Sequence, residues 1–308
     1  MKVYGVIADP HGATGVVKTF LPFLKKQGVD AIILNGDLND HWHQEGTIEK
    51  ILRDCSRLRV PVFAHAGSHE MAEEWEHALK AVKRVKNIVN ANEERVIKYN
   101  DHHLVFLPGS RARVAGGQFV LGGGKKNTGK HVYHSRDWGD IPYYFFNIND
   151  LSDLVDAPEK TVLVGHEPPR FTRRTGIDMA HFGTVTEDFV DVFGNKYSKG
   201  SVTPLKYAER HVKNGHPVRI QKTNRGSSLL ARIISELGIK KGIFGHFHEN
   251  AGLGNFGCDA KGARVEQGVY SQELFFNPGA AYNTYAGIFV LDNGKAMYHV
   301  YCLEPVIK

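Results

Sequence analysis

Cysteine is scarce in this chain: Cys55, Cys258 and Cys302 are the only three in 308 residues, and their wide spacing matches neither a zinc-ligand pattern nor a disulfide framework. A reducing, cytoplasmic setting is the expectation that follows. Long apolar runs are missing too. The N-terminal run Val3 to Ala8 is far too short for a signal segment or a membrane span and ends in Asp9, so neither export nor membrane anchoring is expected. No low-complexity linker divides the sequence, and 308 residues at 42% hydrophobic content can bury a large core, so residues 1–308 are read as one domain. Acidic residues fall short of basic ones, 33 against 39, and the net charge of +6 leans toward a polyanionic partner such as nucleic acid.

What the chain does have is histidine, 17 in all, and five of these fall in short blocks that also carry carboxylates, glycine or proline. The blocks are Asp9-Pro-His11, Gly36-Asp37-Leu38-Asn39-Asp40, Gly67-Ser68-His69-Glu70, Gly165-His166 and Gly245-His246-Phe247-His248-Glu249. The first four follow apolar runs rich in β-branched residues or Ala: Val3 to Ala8, Ala31 to Leu34, Val60 to Ala66 and Thr161 to Val164. The fifth follows Gly242-Ile243-Phe244. Imidazoles and carboxylates at the ends of several buried strands stand where open α/β sheets build their sites, and their chemistry is that of a two-metal centre. The other histidines, such as His102, His103, His131 and His134, are read as polar surface residues rather than ligands.

The first third alternates strand and helix. Amphipathic stretches from Val16 to Lys26 and Thr47 to Leu58, and an Ala-, Glu- and Lys-rich stretch from Met71 to Val85, separate the first strands, so a largely parallel sheet is expected. From His103 onward short strands with Gly turns take over: Leu104 to Leu107, Gln118 to Leu121, Thr161 to Val164, Ala286 to Leu291 and Ala296 to Tyr301, the last two joined by the hairpin turn Asp292-Asn293-Gly294. A helix is expected from Ser227 to Leu237. Residues 167–226 read as a long irregular connection dense in Arg, Lys, Gly, Thr and His; leaving directly from His166, they are expected to form a lid or insertion over the site that selects substrate. A solvated excursion or a dimer contact is the competing reading.

The five blocks resemble the signature of the calcineurin-like metallophosphoesterase superfamily, which reads D-x-H, G-D-x-x-D, G-N-H-[DE], G-H and G-H-x-H, over positions 9 to 249. The resemblance implies two facing mixed β-sheets flanked by helices, with a dinuclear site at the strand C-terminal ends. It implies that Asp9, His11 and His248 complete one divalent ion and that His166, His246 and the residue at Ser68 complete a second, with Asp37 bridging them. His69 is then the group that protonates the leaving oxygen, and Asp40 the carboxylate that keeps His69 charged. Mixed oxygen and imidazole ligation favours manganese, with iron, zinc or nickel as alternatives, over magnesium alone.

Ser68 departs from that signature, which has Asn there. A serine hydroxyl is a shorter and weaker donor, so the second ion is expected to bind less tightly. The Arg-rich start of the insertion, Arg170, Arg173 and Arg174, suits bidentate contact with substrate phosphate, although a solvated charge run has the same appearance. Gly124 to Lys130 imitates a phosphate-binding loop but is followed by His131, and nucleoside triphosphate binding is not expected. Asn277-Pro278-Gly279 reads as a plain turn. His41-Trp42 after Asp40 argues against the protein serine/threonine phosphatases, which carry Arg-Gly there, and the residues after the fifth block are not expected to provide the capping domain of the double-strand-break nucleases. Gly226-Ser227-Ser228-Leu229-Leu230 leading to Gly-His-Phe-His-Glu, with the later Asn277-Pro278-Gly279, most resembles the small single-domain phosphoesterases. The expected activity is metal-dependent hydrolysis of a phosphate ester, preferably a phosphodiester of a nucleotide or nucleic acid. A phosphomonoesterase is the near alternative, and a silent phosphate- or nucleic-acid-binding protein is the alternative of another class that Ser68 raises.

Overall fold

A computed structural model describes residues 1–40, 45–110, 118–120, 129–135, 139–248 and 256–303. The first third forms β1 (Lys2–Ala8), α1 (Thr14–Lys26), β2 (Ala31–Asn35), α2 (Thr47–Ser56), β3 (Val62–His65), α3 (Ala72–Val82) and β4 (Ile88–Asn90). Next come β5 (Val96–Lys98), β6 (His103–Leu107), β7 (Gln118–Val120), β8 (Gly129–Ser135), β9 (Gly139–Asn147), α4 (Leu151–Leu154) and β10 (Thr161–Gly165). The insertion contributes β11 (Met179–Val185), β12 (Phe189–Val190), β13 (Lys196–Tyr197), β14 (Val202–Pro204), α5 (Leu205–Lys213) and β15 (Val218–Asn224). The chain closes with α6 (Ser228–Leu237), β16 (Lys241–Ile243), β17 (Gly257–Cys258), β18 (Leu274–Phe276), β19 (Tyr285–Asp292) and β20 (Lys295–Cys302).

Two six-stranded mixed sheets carry the body, in the orders β20-β19-β1-β2-β3-β4 and β17-β18-β16-β10-β6-β5. Within the first, β1 to β4 run parallel because each crossover is a helix, while the β19–β20 hairpin adds antiparallel to β1. Asp292 pairs with Lys295 across a two-residue turn whose Asn293 and Gly294 both have positive φ, the conformation that matches the strand twist.

Strand periodicity divides the core into layers. Ile7, Ile32 and Leu34 face α1 to α3, whose Phe20, Leu24, Ile51, Leu52 and Trp75 cover that side. Tyr4, Val6, Ile33, Phe63 and Phe289 point the other way and meet Leu104, Phe106, Val162, Val164 and Phe276 of the second sheet. Val105, Leu107, Leu163 and Phe275 on that sheet's outer face are covered by Leu230, Ile233 and Ile234 of α6. The result is the expected helix–sheet–sheet–helix stack, and each fully buried Leu, Ile or Phe contributes about 1.5–3 kcal/mol to holding it.

Two readings need correction. Residues 167–226 are not irregular: β14, β11 and β15 form an antiparallel sheet with α5 against it, and β12 and β13 form a hairpin. Gly183 lets α5 approach, since a Cβ there would lie 2.5 Å from Ala208 Cβ. His102 is no surface residue. It is 4% exposed, its Nε2 is hydrogen-bonded to the Tyr4 hydroxyl and its Nδ1 to Asp101 Oδ1 at 2.9 Å, so it ties the two sheets together. His103 lies at the start of β6 with Nδ1 3.0 Å from Asp156 Oδ1. Residues 124–128 of the phosphate-loop mimic, together with His41, Trp42 and Glu249, lie outside the described residues.

Candidate metal centre

All five blocks meet at one end of the two sheets, where β1, β2, β3, β10 and β16 finish. The backbone bends sharply there. Of the seven non-glycine residues with positive φ among those described, four are Asp9, His11, Asp37 and His246. Such conformations cost on the order of 1–3 kcal/mol each and persist where the surroundings over-determine them. Here the surrounding hydrogen bonds do so: the Asp9, His11 and Gly12 amides donate to the carbonyls of Gly36, Asp37 and Leu38, and the His246 amide donates to Asp9 Oδ2 at 2.9 Å.

Two glycines are required by proximity. At Gly36, with φ of 72°, a Cβ would lie 2.6 Å from His166 Nδ1, and at Gly67 a Cβ would lie 2.3 Å from Asp37 Oδ1. The signature glycines leave room for the ligand side chains themselves.

Asp9, His11, Asp37 and His248 bring ligand atoms within 4.8 Å of one another, and Asp37, His166 and His246 form a second such group, so Asp37 belongs to both. In the first, His248 Nε2 is 3.0 Å from Asp9 Oδ1 and 3.1 Å from His11 Nε2, and His11 Nε2 is 3.8 Å from Asp37 Oδ2. In the second, His166 Nε2 is 3.1 Å from Asp37 Oδ2 and 3.3 Å from His246 Nδ1. Ser68 Oγ donates to Asp37 Oδ2 at 3.0 Å, and the Ser68 and His69 amides donate to Asp37 Oδ1. His11, Asp40 and His69 form a third group within 4.8 Å; His69 Nε2 is 3.7 Å from Asp37 Oδ2 and His11 Nδ1 is 3.9 Å from Asp40 Oδ1.

The charge pattern fits cations. Burial holds His11 down at about 4 and His246 down at about 3, so both are neutral at pH 7 with lone pairs turned inward. Burial also disfavours a charged His166, yet Asp37 and Asp9 outweigh it and lift that imidazole to about 10. Burial would raise Asp9 and Asp37 as well, but the neighbouring histidines hold both below the usual carboxylate range. Facing imidazole pairs on either side of a shared carboxylate make a donor set suited to two divalent ions. His166 Nδ1 faces the Asn35 carbonyl at 3.0 Å and donates to it, so Nε2 is the atom turned toward Asp37 and His246.

Three supporting residues escaped sequence reasoning or were undervalued by it. Glu70, fully buried, accepts from the Gly67 amide at 2.6 Å and from the Leu38 amide, tying the second block to the third; burial and the Asp37 charge push it up to about 8. Asn277 does more than make a turn: its Nδ2 donates to the Gly245 carbonyl at 3.1 Å and so positions the fifth block. Tyr282 places its hydroxyl 3.1 Å from His248 Nδ1 and its ring edge-on to His11, at 5.2 Å between centroids. Nothing in the sequence marked it except an aromatic shortly after Asn277-Pro278-Gly279.

Arg170, Arg173 and Arg174 lie in an exposed loop that docks on the turn at 259–263, where Thr172 Oγ1 donates to the Lys261 carbonyl at 3.1 Å. Arg170 and Arg174 line an open cavity of about 520 Å³ with Thr223, Asn224 and Ser228.

Residues 3–250 match the calcineurin-like phosphoesterase family, and the chain belongs to it. No curated protein sequence matches the chain. Among solved structures, TT1561 of Thermus thermophilus is similar over 97% of this chain and 98% of its own at 13% identity, with a TM-score of 0.53. A dimetal phosphatase from Danio rerio is similar over 98% of each chain at 10% identity, with a TM-score of 0.47. An archaeal phosphodiesterase covers 98% of this chain and 99% of its own at 11% identity, with a TM-score of 0.35. At such identities the first likeness concerns the fold. Membership in the family implies metal-dependent hydrolysis of a phosphate ester. No helix among the described residues is long and apolar enough to cross a membrane.

Proposed function

We propose that the protein is a phosphodiesterase acting on a nucleotide or nucleic acid, with two divalent ions, manganese foremost, held by the two groups that share Asp37. Asp9, His11 and His248 would hold one ion and His166, His246 and Ser68 the other. The observation that carries this reading is that Asp37 belongs to both groups, its Oδ2 3.8 Å from His11 Nε2 and 3.1 Å from His166 Nε2. When bound, two such ions supply charge neutralisation on the phosphoryl oxygens and a water acidic enough to be a nucleophile near neutral pH.

The chain's own groups provide the remainder. His69, grouped with Asp40 beside the cluster, donates the proton that the leaving oxygen needs, and Asp40 helps to position it. The hydrogen bonds from the Ser68 hydroxyl and amide hold the Asp37 carboxylate in one orientation. Arg170, Arg173 and Arg174, with residues 167–226 as an insertion that governs substrate access, are assigned to phosphate recognition. The preference for a diester rests on the basic excess of that insertion, which favours a polyanionic substrate over a small monoester. A silent binding protein is the second reading, favoured by the Ser68 hydroxyl being hydrogen-bonded to Asp37.

The test is hydrolysis of bis(p-nitrophenyl) phosphate and of p-nitrophenyl phosphate by metal-stripped protein with manganese added back. Manganese-dependent release from the diester, abolished in Asp37→Asn, is expected. Faster release from the monoester would make the protein a phosphomonoesterase, and no release from either would leave the binding reading.

A further inference from the structure

The insertion spans about one fifth of the chain yet holds 11 Lys and Arg against 6 Asp and Glu between positions 167 and 226, a net +5 of the chain's +6. Two of those six acids, Glu167 and Asp178, are buried, so its surface is more basic than its composition. It is also where apolar side chains are left in solvent. Of the 11 exposed large hydrophobic residues among those described, seven lie between Val190 and Ile220. Val192 and Phe193, 76% and 69% exposed, tip the β12–β13 hairpin, and Tyr207 on α5 is 53% exposed. The Arg210 guanidinium, one helical turn beyond Tyr207, lies 5.0 Å from the Phe193 ring centre and joins the hairpin tip to α5. Lys196 and Lys213 flank them, both exposed. Every hydrogen bond of residues 179–223 among the described residues is made within the insertion, so this surface is not spent on holding the body.

Exposed aromatic rings alternating with cations fit a single-stranded nucleic acid, whose bases stack on the rings while its phosphates meet the cations. A second copy of this chain fits poorly, because a two-fold contact through this face would bring two +5 insertions together. We propose that the Phe193–Tyr207–Arg210 face of the insertion binds a single strand of nucleic acid. This rests on the phosphodiesterase reading above and names its substrate class.

Fluorescence anisotropy of a labelled single-stranded oligonucleotide of about 20 nucleotides, with the full-length chain in EDTA so that the strand is not consumed, tests this. Binding should weaken steeply as salt rises. Phe193→Ala and Tyr207→Ala should each loosen it about tenfold, and Arg210→Glu with Lys213→Glu should loosen it further and flatten the salt dependence. Manganese-dependent hydrolysis of bis(p-nitrophenyl) phosphate by the same variants should be unchanged, which also shows them to be folded. The proposal is overturned if the wild type fails to bind the strand, if all four substitutions leave its affinity intact, or if only vesicles of phosphatidylcholine and phosphatidylserine are bound. It is equally overturned if the substitutions act only by splitting a dimer in sedimentation. Strand binding without hydrolysis of the small diester would support the surface and remove the phosphodiesterase reading; hydrolysis without strand binding would do the reverse.

Discussion

At the scale of single residues, the metal centre depends on atoms that orient ligands as much as on the ligands. With His248 Nε2 turned into the cluster, its Nδ1 proton is the one that meets the Tyr282 hydroxyl at 3.1 Å. Tyr282 is 40% exposed, so Tyr282→Phe removes that contact without emptying the core. Divalent-ion affinity is expected to fall about tenfold, the low end for loss of a supporting hydrogen bond to a ligand, with little change in thermal stability without metal. Isothermal titration with manganese reads the first quantity and a melt in EDTA the second; unchanged affinity would remove Tyr282 from the centre. Ser68 predicts the opposite sign. Its hydroxyl is short and donates to Asp37, so Ser68→Asn, whose amide oxygen reaches further, should tighten the weaker manganese site by about tenfold or more. An unchanged isotherm would show that position 68 does not contribute to that ion.

At the scale of elements, the strand–turn units explain why so much of the site was legible. Asp9, Asp37, His166 and His246 each follow a buried strand because a pleated run ends in one fixed place and a sharp backbone turn aims the next side chain out of the sheet edge. The clustered groups are Asp and His side chains, and only glycine tolerates the approach at positions 36 and 67. Gly67→Ala tests that argument: its Cβ would meet Asp37 Oδ1 at 2.3 Å and His166 Cε1 at 2.9 Å, so Asp37 must leave its place. Loss of manganese binding together with about 1–3 kcal/mol of stability is expected from titration and denaturant unfolding, and normal metal binding would refute the packing argument. What could not be read were contacts made by tertiary packing. Tyr282 stands 34 positions from His248, and the burial of His102 is decided by Tyr4, 98 positions earlier. The insertion's strands were missed because β15 has solvent on much of both faces, so Arg219, Ile220 and Lys222 show no clean alternation, and β12, β13 and β14 are only two or three residues long.

At the scale of the whole molecule, the body and the insertion divide the work unequally. The three large core clusters belong almost wholly to the two sheets and their helices, while the insertion's own cluster is Val185, Ala208 and Val218 with Phe189 and Tyr197 packed on it. Because β11 and β15 are antiparallel neighbours, Gly183 and Ile220 face each other across the ladder. Residues 184–219 can therefore be replaced by Asn-Gly, closing the two strands with a two-residue turn and keeping Phe182 beneath the Arg225 guanidinium, 4.5 Å away. The shortened chain loses α5, the hairpin and six of the insertion's 11 Lys and Arg but none of the residues within reach of Asp37. Its unfolding temperature should stay within about 4 °C of the full chain, and manganese-dependent hydrolysis of bis(p-nitrophenyl) phosphate should persist. A nucleic-acid strand should no longer be bound, since both stacking rings and the cations between them are gone. If the small diester were no longer hydrolysed by this folded, metal-binding remnant, the insertion would have to complete the catalytic centre itself, acting as a lid over the ions rather than as a platform beside them.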